Sequence, residues 1–96
     1  MILYHIAGIT QWDPALGRLR QVFVAEEFRG SGVGTKLVGR VLEEAKTHGR
    51  KFVLVHALLK SKNFYERNGF IEAGEPYQSG ERGVTCQKMR INIKEH

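Results

Sequence analysis

The chain has 96 residues, 42% of them hydrophobic and 26% charged, which suits one small globular domain and argues against a second. Fifteen Lys and Arg against ten Asp and Glu give a net charge of +5, which favours a polyanionic partner without choosing between nucleic acid, a membrane surface and a phosphorylated small molecule. A single cysteine, Cys86, excludes an internal disulfide and the common structural zinc patterns, and no apolar run reaches the roughly 18 residues that span a bilayer.

Residues 2–10 are rich in β-formers, and Asp13-Pro14-Ala15-Leu16-Gly17 is a turn signal before a second strand over residues 18–24, so the two read as a hairpin. From Val33 onward Val33, Leu37, Val38, Val41, Leu42 and Ala45 recur at helical spacing. Lys36, Arg40, Glu43 and Glu44 fall mainly on the other side, and Gly49 after His48 is a stop signal. Residues 52–55, Phe-Val-Leu-Val, form a continuous apolar run typical of a strand covered on both faces. Strand, helix, strand in that order predicts a parallel pair joined by a right-handed crossover. Ser61 is placed to cap a short helix through Arg67, which Gly69 ends before a strand at Phe70-Ile71. Residues 76–83 are polar and glycine-containing and read as a loop. Met89, Ile91 and Ile93 then alternate with Lys88, Arg90 and Asn92, the pattern of a last strand with one buried face. The expected class is α/β, a mixed β-sheet flanked by two helices, in a single domain over residues 1–96.

Arg29-Gly30-Ser31-Gly32-Val33-Gly34 lies where the second strand turns into the long helix. Such a turn offers bare backbone N–H groups and a positive helix end to a bound phosphate, and glycine lets the backbone approach without a Cβ in the way. Two familiar phosphate signatures fail here. The Walker A pattern needs Gly-Lys-Ser/Thr, but Gly34 is followed by Thr35 and Lys36; the dinucleotide pattern G-x-G-x-x-G fails because its last position would be Thr35 or Leu37. Arg-x-x-Gly-x-Gly, from Arg29 through Gly32 to Gly34, remains. Lys36 and Arg40, one helical turn apart, add positive charge near the helix start.

This pattern after an apolar strand resembles the coenzyme A site of the GNAT superfamily of N-acyltransferases, Gln/Arg-x-x-Gly-x-Gly/Ala. Asn63-Phe64-Tyr65-Glu66-Arg67-Asn68-Gly69-Phe70 is similar to the family's Phe-Tyr-Glu-x-x-Gly-Phe segment, about thirty residues downstream. A weaker third match is the tail Gly83-Val84-Thr85-Cys86-Gln87-Lys88-Met89, similar to a Gly-Ile-Pro-His-x-x-Met ending. The resemblance implies an acetyl-CoA-dependent N-acetyltransferase, with a small-molecule or peptide amine as acceptor and no metal. It assigns coenzyme contacts to Arg29, Gly30, Ser31, Gly32, Val33, Gly34 and Thr35. It also implies that the preceding strand splays from its parallel neighbour, leaving the backbone of Val22, Phe23 and Val24 to bond the pantetheine amides like an added strand.

Acyl transfer from a thioester to an amine needs a deprotonated amine, a polarised carbonyl and a proton for the departing thiolate. Tyr65 matches the family tyrosine near the coenzyme sulfur and is the candidate general acid, against a simple packing role. Asn63 is a candidate coenzyme contact. Leu58 stands where the family often has asparagine, which leaves one amide contact unassigned. For the base, Glu26 and Glu27 follow the central strand, and His56 ends the next one with a suitable titration range. Cys86 replaces the tail histidine, and as a buried strand cysteine it would be inert. Trp12 is expected to pack across the hairpin.

Members of the family usually carry a strand and two helices ahead of this hairpin, and this chain has no room for them. A compact variant completed by a second copy, a fragment, and a domain that binds acyl-CoA without turnover are the expectations that follow. A domain of this size buries about 60% of its unfolded surface, so a homodimer is expected. The amino terminus lacks a signal-peptide pattern and the single thiol fits a reducing compartment, so a cytoplasmic location is expected. Scattered basic residues without interleaved aromatics argue against a nucleic-acid partner, and the short apolar runs argue against a membrane. A non-catalytic acyl-CoA-binding module is the alternative function.

Overall fold

The computed structural model describes residues 2–5, 8–24, 30–80 and 83–93, with the side chains of Tyr4, His5, Gln21 and Phe23 left aside. The strands are β1 (Ile2–His5), β2 (Gly8–Asp13), β3 (Arg18–Val24), β4 (Phe52–Leu58), β5 (Ile71–Glu72), β6 (Tyr77–Ser79) and β7 (Val84–Asn92). Two helices, α1 (Val33–Thr47) and α2 (Lys62–Arg67), complete the described residues, with a single 3₁₀ turn over Leu59–Ser61 leading into α2. The strands form one mixed sheet in the order β1-β2-β3-β4-β7-β5, and β6 pairs with β7 on the same outer edge as β5. The α/β class and the mixed sheet with two helices are as the sequence predicts.

Four local readings are corrected. Residues 2–10 are two antiparallel strands, with His5 opposite Gly8 and Ile2 opposite Gln11, and the second runs on to Asp13. Phe52 to Val55 is covered on one face only: Val53, Val55 and Ala57 are buried whereas Leu54 and His56 are half-exposed. Ser61 does not cap α2 with its side chain; the 3₁₀ turn feeds the chain into the helix instead. Within the polar 76–83 segment, Tyr77 to Ser79 pairs with β7, which starts at Val84.

The core explains the layers. Leu37, Val38, Val41 and Ala45 line one side of α1 at helical spacing, and all are buried. That side covers Leu3, Trp12, Leu19, Val53, Val55 and Met89 from the sheet, and Tyr65 and Phe70 extend the same cluster under α2. Both helices therefore lie on one face. Trp12 is fully buried there, its ring edge-on to His48 at 6.4 Å between centroids. α1 ends as predicted at Gly49, whose left-handed backbone (φ 73°) lets its N–H and that of Arg50 reach Lys46 O and Ala45 O.

Two irregularities shape the centre of the sheet. Gln11 pairs with Gln21 but Trp12 with Leu19, so Arg20 is an extra residue in β3, a β-bulge. Leu19 packs in the main core, and beyond the bulge Val22 and Val24 also pack toward α1, against Val33 and Leu37. A regular strand would have sent them to the opposite face. The parallel pairing of β3 with β4 covers only Arg18 with Leu54 and Leu19 with Val55. Past the bulge the two strands part.

Candidate active site

The parting leaves Val22 to Val24 paired with β2 on one edge (Thr10 to Val22, Gly8 to Val24) and without strand pairing toward β4 on the other. Unpaired main-chain donors and acceptors of this kind are a template for an extended amide-bearing ligand. The gap between the strands is a cleft of about 730 Å³ lined by Arg20, Val22, Val24, His56, Ala57, Leu58, Lys60, Ser61, Phe64 and Tyr65. A second cleft of about 400 Å³ opens at the start of α1, between Gly30, Gly32, Val33, Gly34 and Thr35 on one side and Phe64, Arg67 and Asn68 on the other. Val24 and Phe64 line both. A smaller hollow between Val22, Val24, Ser61, Phe64 and Tyr65 connects them into one groove from the glycine turn to the parted strands.

The glycines of the turn do different jobs. Gly30 and Gly32 have left-handed backbones (φ 83° and 87°), and a Cβ built on either would meet nothing within 4 Å. Their conformation excludes most side chains and the space above them is open, as a phosphate needs. Gly32 is the N-cap of α1 without a side-chain cap, and the first turn carries no acidic residue of its own to compete for the helix-start N–H groups. Gly34 is ordinary in φ but tightly packed: a Cβ there would sit 2.8 Å from the Phe64 ring. Lys36 and Arg40 are exposed along α1 and are not among the residues lining the groove. Arg29, Glu26 and Glu27 lie outside the described residues.

Tyr65 borders the groove where the strands part. It is 6% exposed, its ring meets Phe64 and Phe70 edge-on at 5.1 and 5.4 Å, and burial pushes its hydroxyl up to about 12. Such a phenol stays protonated across the physiological range and is available as a hydrogen-bond donor. Asn63, two residues earlier, is exposed on α2 and is not brought into the groove; the neighbouring Phe64 is. Cys86 is buried in β7 opposite Leu58.

The structure also brings together residues the sequence did not single out. Tyr77, in the segment read as loop, hydrogen-bonds through its hydroxyl with His56 Nδ1, and the two rings stand edge-on at 5.8 Å. Arg20 and Lys60 join His56 at the cleft. Only a pairing of β6 with β7 places Tyr77 there, and a three-residue edge strand in a polar segment leaves little pattern to find.

The profile of the acetyltransferase (GNAT) domain family matches residues 4–93. A curated relative, an uncharacterized N-acetyltransferase of Methanocaldococcus jannaschii, is 37% identical over 60 residues, covering 59% of this chain and 26% of that protein. Among solved structures, one assigned by name to the N-acetyltransferases, from Lactobacillus plantarum, superposes with a TM-score of 0.78 at 25% identity, over 92% of this chain and 61% of its own. Ard1 from Thermoplasma volcanium gives a TM-score of 0.81 at 19% identity, over 93% of this chain and 64% of its own. The chain thus spans about a quarter of the curated relative and about six-tenths of these structures. With nearly its whole length inside the family profile, the chain belongs to the GNAT acetyltransferase family.

Proposed function

We propose that the chain transfers an acetyl group from acetyl-CoA to an amine. The observation that carries this reading is the continuous groove from the open Gly30–Gly32 turn, past the unpaired edge of Val22 to Val24, to the buried hydroxyl of Tyr65. The donor set fits the coenzyme: left-handed glycines under open space suit a pyrophosphate, and a strand edge suits the pantetheine amides. Acetyl-CoA supplies an acyl group activated as a thioester. Tyr65 supplies a hydrogen-bond donor held against the apolar wall of Phe64 and Phe70. Because its hydroxyl is a weaker acid than an ordinary thiol by more than three pH units, Tyr65 acts by stabilising the developing thiolate through its O–H, with full proton transfer completed by solvent. The acceptor approaches through the gap between the strands, from the face of β4 that carries His56. A soluble setting in the cytoplasm and self-association into a homodimer belong to the same reading.

Calorimetry with acetyl-CoA tests it. The wild type is expected to bind, and Gly32→Asp, which adds a side chain and a negative charge in the open space of the turn, is expected to weaken binding at least tenfold while leaving the circular dichroism spectrum unchanged. Tyr65→Phe is expected to keep the affinity within about threefold and to lower turnover by roughly 10- to 100-fold. Retained affinity in Gly32→Asp refutes the coenzyme site. Binding without turnover of any amine by the wild type leaves the non-catalytic acyl-CoA-binding module.

A further inference from the structure

The cleft between β3 and β4 has two walls. Ala57 and Tyr65 belong to the helix-covered side, where Val53, Val55 and Ala57 are buried. His56, one residue along the strand, points to the opposite side and lines the same cleft. Its cross-strand neighbour on that side is Lys88 of β7, and Arg18 of β3, paired with Leu54, is close by. The Tyr77 hydroxyl of β6 holds its Nδ1.

We propose that His56, positioned by Tyr77, takes the proton from the acceptor amine as that amine joins the acyl carbon. The proposal rests on the acetyltransferase reading above. Among the described residues that line the cleft, His56 is the one side chain able to accept a proton near neutral pH: Arg20 and Lys60 are cations, Tyr65 is held protonated, and the rest are apolar or a serine. The contact with Tyr77 engages Nδ1 and leaves Nε2 toward the cleft; the step uses the tautomer in which Nδ1–H donates to the Tyr77 oxygen and Nε2 carries the lone pair.

Charge supports the assignment. Partial burial first, then Arg18 and Lys88, hold the imidazole below its usual 6.5, so it is neutral and competent at pH 7. The same two cations, with Arg20 and Lys60 at the cleft, disfavour a bound ammonium and favour the neutral amine that must attack. In the step, the amine nitrogen forms a C–N bond to the acyl carbon and the C–S bond breaks. The nitrogen's surplus proton passes to His56 Nε2, the thiolate takes a proton through Tyr65 and solvent, and His56 returns its own to solvent. One amide, one thiol and, for an amine that arrives as ammonium, one released proton balance the equation.

The test follows thiol release from acetyl-CoA with glycinamide, a short peptide with a free amino terminus and an aliphatic diamine as probes, from about pH 5 to 9. The wild type is expected to lose kcat/KM on the acid side with an inflection below 6.5, and His56→Gln to lose that inflection and roughly 100-fold in kcat. Its calorimetric affinity for acetyl-CoA should stay within about twofold, since His56 lies on the acceptor wall. Tyr77→Phe is expected to move the inflection and cost less than about tenfold. Where His56→Gln is unstable, His56→Ala with and without added imidazole reads the same chemistry, recovery of rate supporting the role. An unchanged rate and pH profile in His56→Gln overturns the proposal. Failure of the wild type to bind acetyl-CoA refutes the parent reading instead, and binding without turnover of any probe overturns His56 as a base while sparing the coenzyme site.

Discussion

Gly34 and Gly30 sit four residues apart in one motif and answer to different forces. At Gly34 the constraint is the Phe64 ring, 2.8 Å from where a methyl would sit, and Phe64 in turn walls both halves of the groove. Gly34→Ala is therefore expected to cost about 1–3 kcal/mol in denaturant unfolding, and pairing it with Phe64→Leu should recover part of that loss. At Gly30 the space is open and only the left-handed backbone resists, so Gly30→Ala should cost about 1 kcal/mol, with no recovery from Phe64→Leu. Equal costs, or equal recovery, would contradict the distinction. A glycine pattern in a sequence names the motif; which glycine serves the ligand and which the core is decided by neighbours far along the chain, and Phe64 is thirty residues away.

At the level of elements, β3 determines the site. Its bulge at Arg20 keeps Val22 and Val24 packed under α1 while the strand leaves β4 after two residue pairs. The main-chain amides on the free edge between Val22 and Val24 should then exchange with solvent deuterium far faster than those of Val53 to Ala57 in β4, which lie between pairs on β7, and acetyl-CoA should slow them by at least tenfold. Slow exchange without ligand would mean that the edge is already paired. α1, β4 and α2 were legible from apolar spacing and from Gly49 and Gly69, because those signals are local. The bulge was not, since Arg-Leu-Arg-Gln-Val-Phe-Val alternates acceptably in either register. Nor was the break between β1 and β2, where an unbroken series of β-formers hides the reversal between His5 and Gly8.

For the molecule as a whole, the two helices share one face of the sheet and the other face carries Phe52, Leu54, Arg18, His56, Lys88 and Arg90. Like charges gathered around a half-buried imidazole make the fold sensitive to acid. Because His56 titrates lower in the folded chain than the 6.5 of the unfolded one, the unfolded state binds more protons below that pH, so stability is fully present above 6.5 and declines as pH falls toward the folded value. The urea midpoint is expected to drop between about pH 7.5 and 5, and to drop less in His56→Gln; identical slopes in the two proteins would remove His56 as the cause. The glycine and tyrosine motifs could be read from residues 29–70 alone, and the class of fold from the strand patterns on either side of them. The wall of the cleft that carries His56 and Tyr77 could not, because it is assembled from β3, β4, β6 and β7 by pairing, and Tyr77 meets His56 across 21 positions of chain.

The guanidinium of Arg50 donates to Pro14 O and Ala15 O, and Leu54 N–H bonds Gly17 O, all at the closed end where β3 and β4 still touch. From there to Val24 is six residues of strand, about 20 Å. Strands tied at one end and free at the other diverge like the legs of a compass, so the contacts that fix where the cleft begins line no part of it.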